Sequence, residues 1–311
     1  METTRIVYLG TPEISAYLLE GLITSGFNIV GVVTQEDKPQ GRKMKLTPSP
    51  VSNIAEKYNI PLFKPHKLNK ECDFLNDLNP DLLLTFAYGQ ILSSKVLSFS
   101  KLPPINFHAS LLPKYRGAAP IQYALANGEA KTGMTIMEMV KQMDAGRIFA
   151  QEEIEISRLD NCTSLSEKLA KLALDMAKKY LPLYFENKLE GKEQDESAVT
   201  FSPSIKKEEE KLSLDLKPID FVNKVRSLAL NPGAYLLSDS QRFKIYHAEV
   251  YSSLKERDAG TLVVKNKKLI LQLNDGEVEL IKIQQPSKKM MDAASFINGH
   301  SEEDIRKMIL E

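Results

Sequence analysis

An asparagine and a histidine stand two residues apart in the stretch Ile105–Leu125, INFHASLLPKYRGAAPIQYAL. On an extended strand, side chains two residues apart share a face, so Asn106 and His108 would point the same way. A later Met-Asp-Ala-Gly stretch places Asp144 after another predicted strand. Asn106 could stabilise an oxyanion, His108 could move a proton, and Asp144 could hold the imidazole and favour its charged form. Together these groups suit acyl transfer to an amine on a substrate, with no serine or cysteine nucleophile.

A plainer interpretation of the same residues stays open, with His108 as a satisfied core histidine and Asn106 as a turn former. Two features favour chemistry instead. Doubly wound sheets build their sites at the carboxyl ends of strands, where both groups would lie. The loop that follows carries Lys114, Tyr115 and Arg116 between a proline and a glycine, an unusual composition for packing alone.

The elements that must position these residues alternate between short apolar runs and helical periodicity. Strands are predicted at 5–10, 28–34, 81–89, 103–109 and 132–140, and helices at 13–26, 51–60, 68–78 and 164–186. This alternation predicts an α/β fold with a doubly wound, mostly parallel, Rossmann-like sheet.

The pattern changes after a polar, turn-rich stretch. A helix is predicted at 218–230, and five short strands at 234–238, 242–251, 260–266, 268–274 and 277–286. Such strands indicate a second, smaller β-barrel of the OB-like type, or a sandwich. We therefore expect a catalytic domain over 1–188, a linker over 189–206 and a barrel-like domain over 207–311.

The composition excludes several classes of protein. The chain has 311 residues, 42% apolar and 26% charged, which is typical of a globular protein of two domains. It has neither a secretory signal nor an apolar run of about 18 residues, so we expect a cytoplasmic protein that does not enter a membrane. Two cysteines and four histidines are too scattered for metal-ligand spacing, and we expect no metal. The net charge of zero argues against bulk electrostatic binding of nucleic acid but allows a local basic patch.

Four stretches carry a resemblance to a known family. They are 7–23 (VYLGTPEISAYLLEGLI), 34–51 (TQEDKPQGRKMKLTPSPV), 80–92 (PDLLLTFAYGQIL) and 105–149, which begins INFHASLLPKYRG and ends MDAGRIF. The chain resembles, over its whole length, the 10-formyltetrahydrofolate-dependent formyltransferases. The resemblance implies that Asn106, His108 and Asp144 are the catalytic trio and that 10-formyltetrahydrofolate is the formyl donor. It also implies a set of folate-contacting residues: Ser110, Leu111, Leu112, Pro113, Phe86, Tyr88, Gln90 and Ile91.

The basic loop at 34–50 resembles an insertion that grips the acceptor end of tRNA in the tRNA-acting members of the family. It carries Lys38, Arg42, Lys43 and Lys45 against Glu36 and Asp37, so four minus two gives a local charge of +2. Its glycine and prolines predict a shaped loop rather than a helix or strand, and basic loops suit phosphate contacts. A solvated charged loop is the alternative.

The predicted tRNA contacts also extend beyond that loop. The full set comprises Arg42, Lys43, Lys45, Lys114, Arg116, Lys265, Lys267 and Lys268. Residues 207–311 hold 17 basic and 17 acidic residues, so positive charge there would have to be segregated on one face. The lysines at 265–268 are candidates, and a hairpin tip that carries lysines for solubility is the alternative.

The resemblance therefore implies an enzyme that moves a formyl group from 10-formyltetrahydrofolate to the α-amine of methionine on initiator tRNA, and we expect a monomer. Two alternatives stay open, one that keeps the folate site and one that has no catalytic activity. A folate-dependent formyltransferase or hydrolase could use an amino-sugar nucleotide or water as its acceptor. An RNA-binding protein on a degenerate enzyme scaffold is the other, and the intact trio argues against it.

Overall fold

The computed structural model describes residues 3–40 and 44–311 of the chain. The described chain falls into two compact units. The first comprises Met1–Pro120, Lys131–Glu155 and Ser166–Pro203, and the second comprises Ile121–Ala130, Ile156–Leu165 and Ser204–Glu311. Two short internal stretches thus group with the C-terminal part of the chain. The predicted boundaries at 188 and 207 stay a prediction, because linear bounds do not represent such a division.

Strands and helices alternate over the first part of the chain, as expected. The strands are β1 Ile6–Gly10, β2 Ile29–Val33, β3 Lys38–Gln40, β4 Lys45–Thr47, β5 Leu62–Phe63, β6 Leu82–Phe86, β7 Ile105–His108, β8 Lys131–Glu138 and β9 Ile148–Glu155. The helices are α1 Glu13–Thr24, α2 Pro50–Lys57, α3 Phe74–Leu78, α4 Ser94–Leu97, α5 Pro120–Ala126 and α6 Cys162–Phe185.

The main sheet of the first unit has the strand order β5-β2-β1-β6-β7-β8-β9. The pairings from β5 to β7 are parallel. Every residue of β1 and β6 is buried, as expected for strands covered on both faces. The predicted α/β fold with a mostly parallel, Rossmann-like sheet is confirmed.

One strand of this sheet, β8, runs against the others, and β9, which pairs antiparallel with β8, runs in the same direction as β7. β8 pairs antiparallel with β7, which sets Glu138 opposite Ile105 and Thr135 opposite His108. The end of β8 therefore lies beside the start of β7, away from His108. Residues 139–147, here called the acid loop, connect β8 to the edge strand β9. This loop carries Asp144.

The second unit contains a separate antiparallel sheet. Its elements are α7 Pro218–Leu228, β10 Ala234–Ser238, β11 Gln241–Ser252, β12 Leu262–Lys265, β13 Lys268–Leu273, β14 Gly276–Gln284, β15 Met291–Asp292, α8 Ala293–Asn298 and α9 Glu302–Lys307. The strand order is β10-β11-β14-β13-β12, and β15 also pairs with β14. Its core includes Phe221, Phe243 and Phe296, all fully buried or nearly so. The smaller β domain is confirmed, and within the described residues no pairing joins β10 to β12 to close a barrel.

Three local expectations differ from the structure. The helix predicted over 68–78 is reduced to α3, because the Glu71 carboxylate accepts the backbone N–H groups of His66 and Lys67 and holds a turn there. The basic loop contains a short hairpin, β3 paired with β4, rather than irregular backbone alone. The strand β9 was not predicted, because as an edge strand it exposes alternate, mostly charged side chains.

Candidate active site

Asn106 lies on β7, and a neighbouring strand orients its amide. The Thr85 hydroxyl, on β6, donates a hydrogen bond to Asn106 Oδ1 over 2.7 Å. Thr85 is 2% exposed, so water competes little for this bond. Because the hydroxyl occupies the amide oxygen, the NH2 group is the end of Asn106 that is left to donate to a ligand. Thr85 was not among the residues predicted from the sequence.

His108 is the second polar side chain of β7 and is 5% exposed. Its Nε2 lies 2.8 Å from the carbonyl oxygen of Tyr115. A carbonyl only accepts hydrogen bonds, so Nε2 carries a hydrogen. In the neutral ring Nδ1 then has the free lone pair, and it is the nitrogen that can take up or release a proton.

Asp144 approaches that second nitrogen. Its Oδ2 lies 3.7 Å from His108 Nδ1, within ion-pair range but too long for a hydrogen bond. The same oxygen accepts the backbone N–H of Gly117 at 2.8 Å. Backbone strain accompanies this arrangement, since Asp144 has φ 51° and Tyr115 has φ 63°, values that non-glycine residues rarely adopt. The structure thus brings Asn106, His108 and Asp144 to one region, with the Tyr115 carbonyl as an unpredicted participant.

Gly117 is required at the point where the loop after His108 meets its neighbours. Its φ is 125°, and an added Cβ would lie 2.6 Å from the Ser202 carbonyl oxygen. Any other residue would displace the loop or leave Asp144 without this N–H donor.

Arg116 was predicted to contact tRNA, but it is 1% exposed. Its guanidinium donates two hydrogen bonds to Glu196 and two to the Gln194 side-chain oxygen. This burial leaves no face for a phosphate, so we assign Arg116 to the support of the loop instead. The charge pattern Lys-Tyr-Arg does not distinguish a buried arginine from an exposed one.

The residues predicted to contact folate occupy different environments. Ser110 is fully buried, and its hydroxyl donates to the Lys114 carbonyl, which closes a turn. Leu112 is also buried, whereas Leu111 and Pro113 are partly exposed. Ile91 is 74% exposed. Their contact with folate stays a prediction.

The segment that follows β6 is fixed by hydrogen bonds to other parts of the first unit. The Tyr88 carbonyl accepts from the Thr11 hydroxyl and from the Gln35 amide. Gln90 is bonded to the backbone of His66 and Leu68. Burial raises the pKa of the Tyr88 phenol, whose oxygen has no hydrogen-bond partner among the described residues. Phe86 is buried on β6. Chain segments far apart in sequence therefore shape this wall.

The two acids of the basic loop contact residues outside the loop. Glu36 lies 2.7 Å from the His66 imidazole, and Asp37 forms an ion pair with Lys64 at 2.7 Å. Lys45 is exposed on β4. Arg42 and Lys43 lie outside the described residues.

The lysines of the second unit differ from one another. Lys265 is bound to Glu277, whose side chain is 2% exposed, and to Glu256. Lys268 is paired with Glu279. Lys267, at the tip between β12 and β13, is exposed. Lys114 is likewise exposed, in the first unit. Lys267 is therefore the better candidate of the three tip lysines for a phosphate contact.

Two searches of the described part of the chain bear on other kinds of site. Within residues 3–40 and 44–311, no helix combines the length and apolar character that a membrane crossing requires. In the same ranges, no group of three or more His, Cys, Asp or Glu side chains is arranged to hold a metal ion.

Comparison with known proteins places this chain in a family. The formyl transferase family model matches residues 4–180, and the model of the formyl transferase C-terminal domain matches residues 204–301. A methionyl-tRNA formyltransferase from Lactobacillus acidophilus is 45% identical over 299 residues, which cover 95% of this chain and 95% of that relative. One from Staphylococcus aureus is 42% identical over 300 residues, 95% of this chain and 96% of that relative.

Solved structures share the fold at low identity. HypX from Aquifex aeolicus, solved in complex with tetrahydrofolic acid, aligns with a TM-score of 0.65 at 16% identity, over 94% of this chain and 46% of that chain. An N-formyltransferase from Helicobacter canadensis, in complex with folinic acid and dTDP-3-aminofucose, aligns with a TM-score of 0.64 at 16% identity, over 89% and 99% of the two chains. The family uses a folate-derived formyl donor. On the family models and the near-full-length relatives, this chain is an enzyme that belongs to the methionyl-tRNA formyltransferase family.

Proposed function

We propose that the enzyme transfers the formyl group of 10-formyltetrahydrofolate to the α-amine of methionine on initiator tRNA. The observation that carries the proposal is the arrangement of His108, with Nε2 bound to a backbone carbonyl and Nδ1 facing Asp144 at 3.7 Å. Identity of 45% over 95% of both chains with a methionyl-tRNA formyltransferase supports the acceptor.

The proposed reaction is an aminolysis of the formyl group. The unprotonated amine attacks the formyl carbon, a C–N bond forms, and the carbonyl π electrons move to oxygen. The Asn106 amide donates to that oxyanion, and its orientation by Thr85 supports this role. His108 Nδ1 takes the proton that the attacking nitrogen releases.

The second half of the reaction returns that proton. The tetrahedral intermediate collapses, the bond between the formyl carbon and N10 of the folate breaks, and His108 gives its proton to N10. The negative charge of Asp144 stabilises the imidazolium between the two proton transfers. Formylmethionyl-tRNA and tetrahydrofolate leave.

The folate is proposed to lie against the strand end after β6 and the segment after β7. Exposed apolar side chains in two loops support this, Ile91 after β6 and Met143 in the acid loop beside Asp144. Either could cover a face of the pterin ring. Backbone groups of the segment 89–91 would supply polar contacts.

The tRNA is proposed to contact the basic loop and the exposed lysines. Arg42, Lys43 and Lys45 would bind phosphates of the acceptor end, and the ion pair of Asp37 with Lys64, outside the loop, supports an attractive field there. Lys114 and Lys267 would add contacts. Because the acceptor is a tRNA, we propose that the enzyme acts in the cytoplasm, and we propose a monomer, which light scattering would test.

A formylation assay tests the function. Purified enzyme is given 10-formyltetrahydrofolate with charged initiator tRNA, charged elongator tRNA or an amino-sugar nucleotide, and Asn106→Ala, His108→Ala and Asp144→Ala variants are run in parallel. We expect formylmethionine on the initiator tRNA, with turnover reduced in all three variants. Formylation of the amino sugar without formylation of tRNA would overturn the proposal, and so would release of free formate alone.

A further inference from the structure

The segment predicted as a linker is attached to the active-site loop by backbone and side-chain hydrogen bonds. Residues 192–202 are here called the strap. The Tyr115 N–H donates to the Thr200 hydroxyl at 2.8 Å, and the Arg116 N–H donates to the Thr200 carbonyl at 2.9 Å. Ser202 returns an N–H to the Arg116 carbonyl at 2.8 Å, and its hydroxyl donates to the Tyr115 carbonyl at 3.0 Å. The carbonyl that holds His108 is thus itself held by the strap.

One side chain of the strap reaches both loops of the site. The Gln194 amide nitrogen donates to the carbonyls of Asp144 and Gly146, each at 2.8 Å. The Gln194 side-chain oxygen accepts from Arg116 Nε at 3.1 Å and from Nη2 at 2.9 Å. Both N–H donors and both acceptor lone pairs of the amide are used.

From these contacts we infer that Gln194 is a positioning residue, which sets the distance between the Asp144 carboxylate and the His108 imidazole. It ties the acid loop to Arg116, which adjoins the Tyr115 carbonyl that orients His108. The two loops need such a constraint, because Asp144 and Tyr115 both have left-handed backbone conformations that isolated chains disfavour. The inference rests on the proposed function of His108 and Asp144.

The chemistry of the site explains why the residue is a glutamine. A glutamate could still accept from Arg116, but its carboxylate would face two carbonyl oxygens without a hydrogen to donate. Gln194→Glu therefore keeps the size of the side chain and its pairing with Arg116, while it removes the link to the acid loop. Gln194→Met removes both links without adding charge.

Glu196 offers a matched control. It also binds Arg116, at 2.7 Å, but its side chain is 68% exposed, and within the described residues it makes no hydrogen bond to the acid loop. Glu196→Gln retains an acceptor for Arg116. Glu196→Gln therefore tests the effect of a weaker Arg116 contact alone, whereas the Gln194 variants also release the acid loop that carries Asp144.

The experiment is a double-mutant cycle on kcat with the full chain. Gln194→Glu, Gln194→Met and Glu196→Gln are each made alone and with Asp144→Asn, which keeps an acceptor for the Gly117 N–H. Circular dichroism and thermal melting confirm that each variant folds. The cycle is run with whichever acceptor the wild-type enzyme formylates, or with water, so that failure of the proposed acceptor does not conceal the result.

In the wild-type background, both Gln194 variants are expected to lower kcat by about 10- to 100-fold, as misplacement of a catalytic group does, with KM for both substrates nearly unchanged. Glu196→Gln should have little effect. With Asp144→Asn already present, the Gln194 changes should add almost nothing, because Gln194 acts through Asp144. If the effects multiply, if KM changes instead of kcat, or if the folded Gln194 variants retain full activity, the inference fails while the proposed function stands. Absence of formyl release by the wild-type enzyme would instead refute the proposed function.

Discussion

His108 and Tyr115 are joined by a bond of 2.8 Å between the imidazole Nε2 and a backbone carbonyl oxygen. Since the carbonyl only accepts, we expect the neutral ring to be the Nε2–H tautomer, with the lone pair on Nδ1. Long-range 1H–15N correlation spectra of histidine-labelled protein measure both nitrogens. A neutral His108 protonated at Nδ1 would contradict the assignment.

Replacement of this histidine should separate chemistry from binding. His108→Ala is expected to lower kcat by about 100- to 10,000-fold, the usual contribution of general acid–base catalysis, while tRNA affinity stays nearly the same. Single-turnover formylation and filter binding measure the two effects. His247→Ala, at a half-exposed histidine of the second unit, is the control. Loss of affinity with unaltered turnover would remove His108 from the catalytic trio.

Thr85 should influence the rate through Asn106. Thr85→Val keeps the shape of the side chain but removes the hydroxyl that donates to Asn106 Oδ1. We expect kcat to fall about fivefold, because a hydrogen bond of this kind contributes about 1 kcal/mol. Thr85→Ser keeps the hydroxyl and should restore most of the rate. Equal activity of the valine and serine variants would show that the amide needs no such orientation.

Replacement of Lys265 should lower stability, whereas replacement of Lys267 should affect tRNA binding. Among the described residues, Lys265→Ala leaves the buried Glu277 carboxylate with Arg257 as its remaining cation, so we expect the free energy of unfolding to fall by about 2 kcal/mol. Lys267→Ala should leave stability unchanged and reduce the salt dependence of tRNA affinity by about one unit of slope. Urea unfolding and binding at several salt concentrations test this pair. The reverse pattern would restore Lys265 as the phosphate contact.

Asp81 should contribute to stability at neutral pH and lose that contribution in acid. The backbone N–H of Arg5, and then Lys101, hold the pKa of this carboxyl below its ordinary value of 3.8. A lowered pKa in the folded state means that the stabilisation is present above pH 3.8 and disappears as the pH falls through the folded-state value. Asp81→Asn should therefore destabilise the protein at pH 7, and the difference from wild type should shrink below pH 4. Urea unfolding across that range measures it, with the exposed Asp77→Asn as control, and a gap independent of pH would refute it.

The sequence predicted the sheet well because buried parallel strands are continuous apolar runs. IVYLG and LLLTF are apolar over nearly their whole length and correspond to the fully buried β1 and β6. The edge strand β9 escaped prediction, because its alternating charged residues resemble an exposed helix or loop as much as a strand. The hairpin β3–β4 escaped for a related reason, since strands of three residues carry little periodicity.

By itself the sequence determined that Asn106 and His108 share one face of a strand, because the period of a strand is a local property. The meeting with Asp144 was decided by the tertiary structure. β8 runs antiparallel to β7 and ends beside Ile105, at the far end of β7 from His108. The acid loop that follows β8 then brings the Asp144 carboxylate to the His108 imidazole. The tertiary structure also decided the burial of Arg116 and the bridge through Gln194. Both depend on the strap, in which Gln194 lies 78 residues beyond Arg116 in the sequence. Contacts over such separations leave no periodic trace in the sequence.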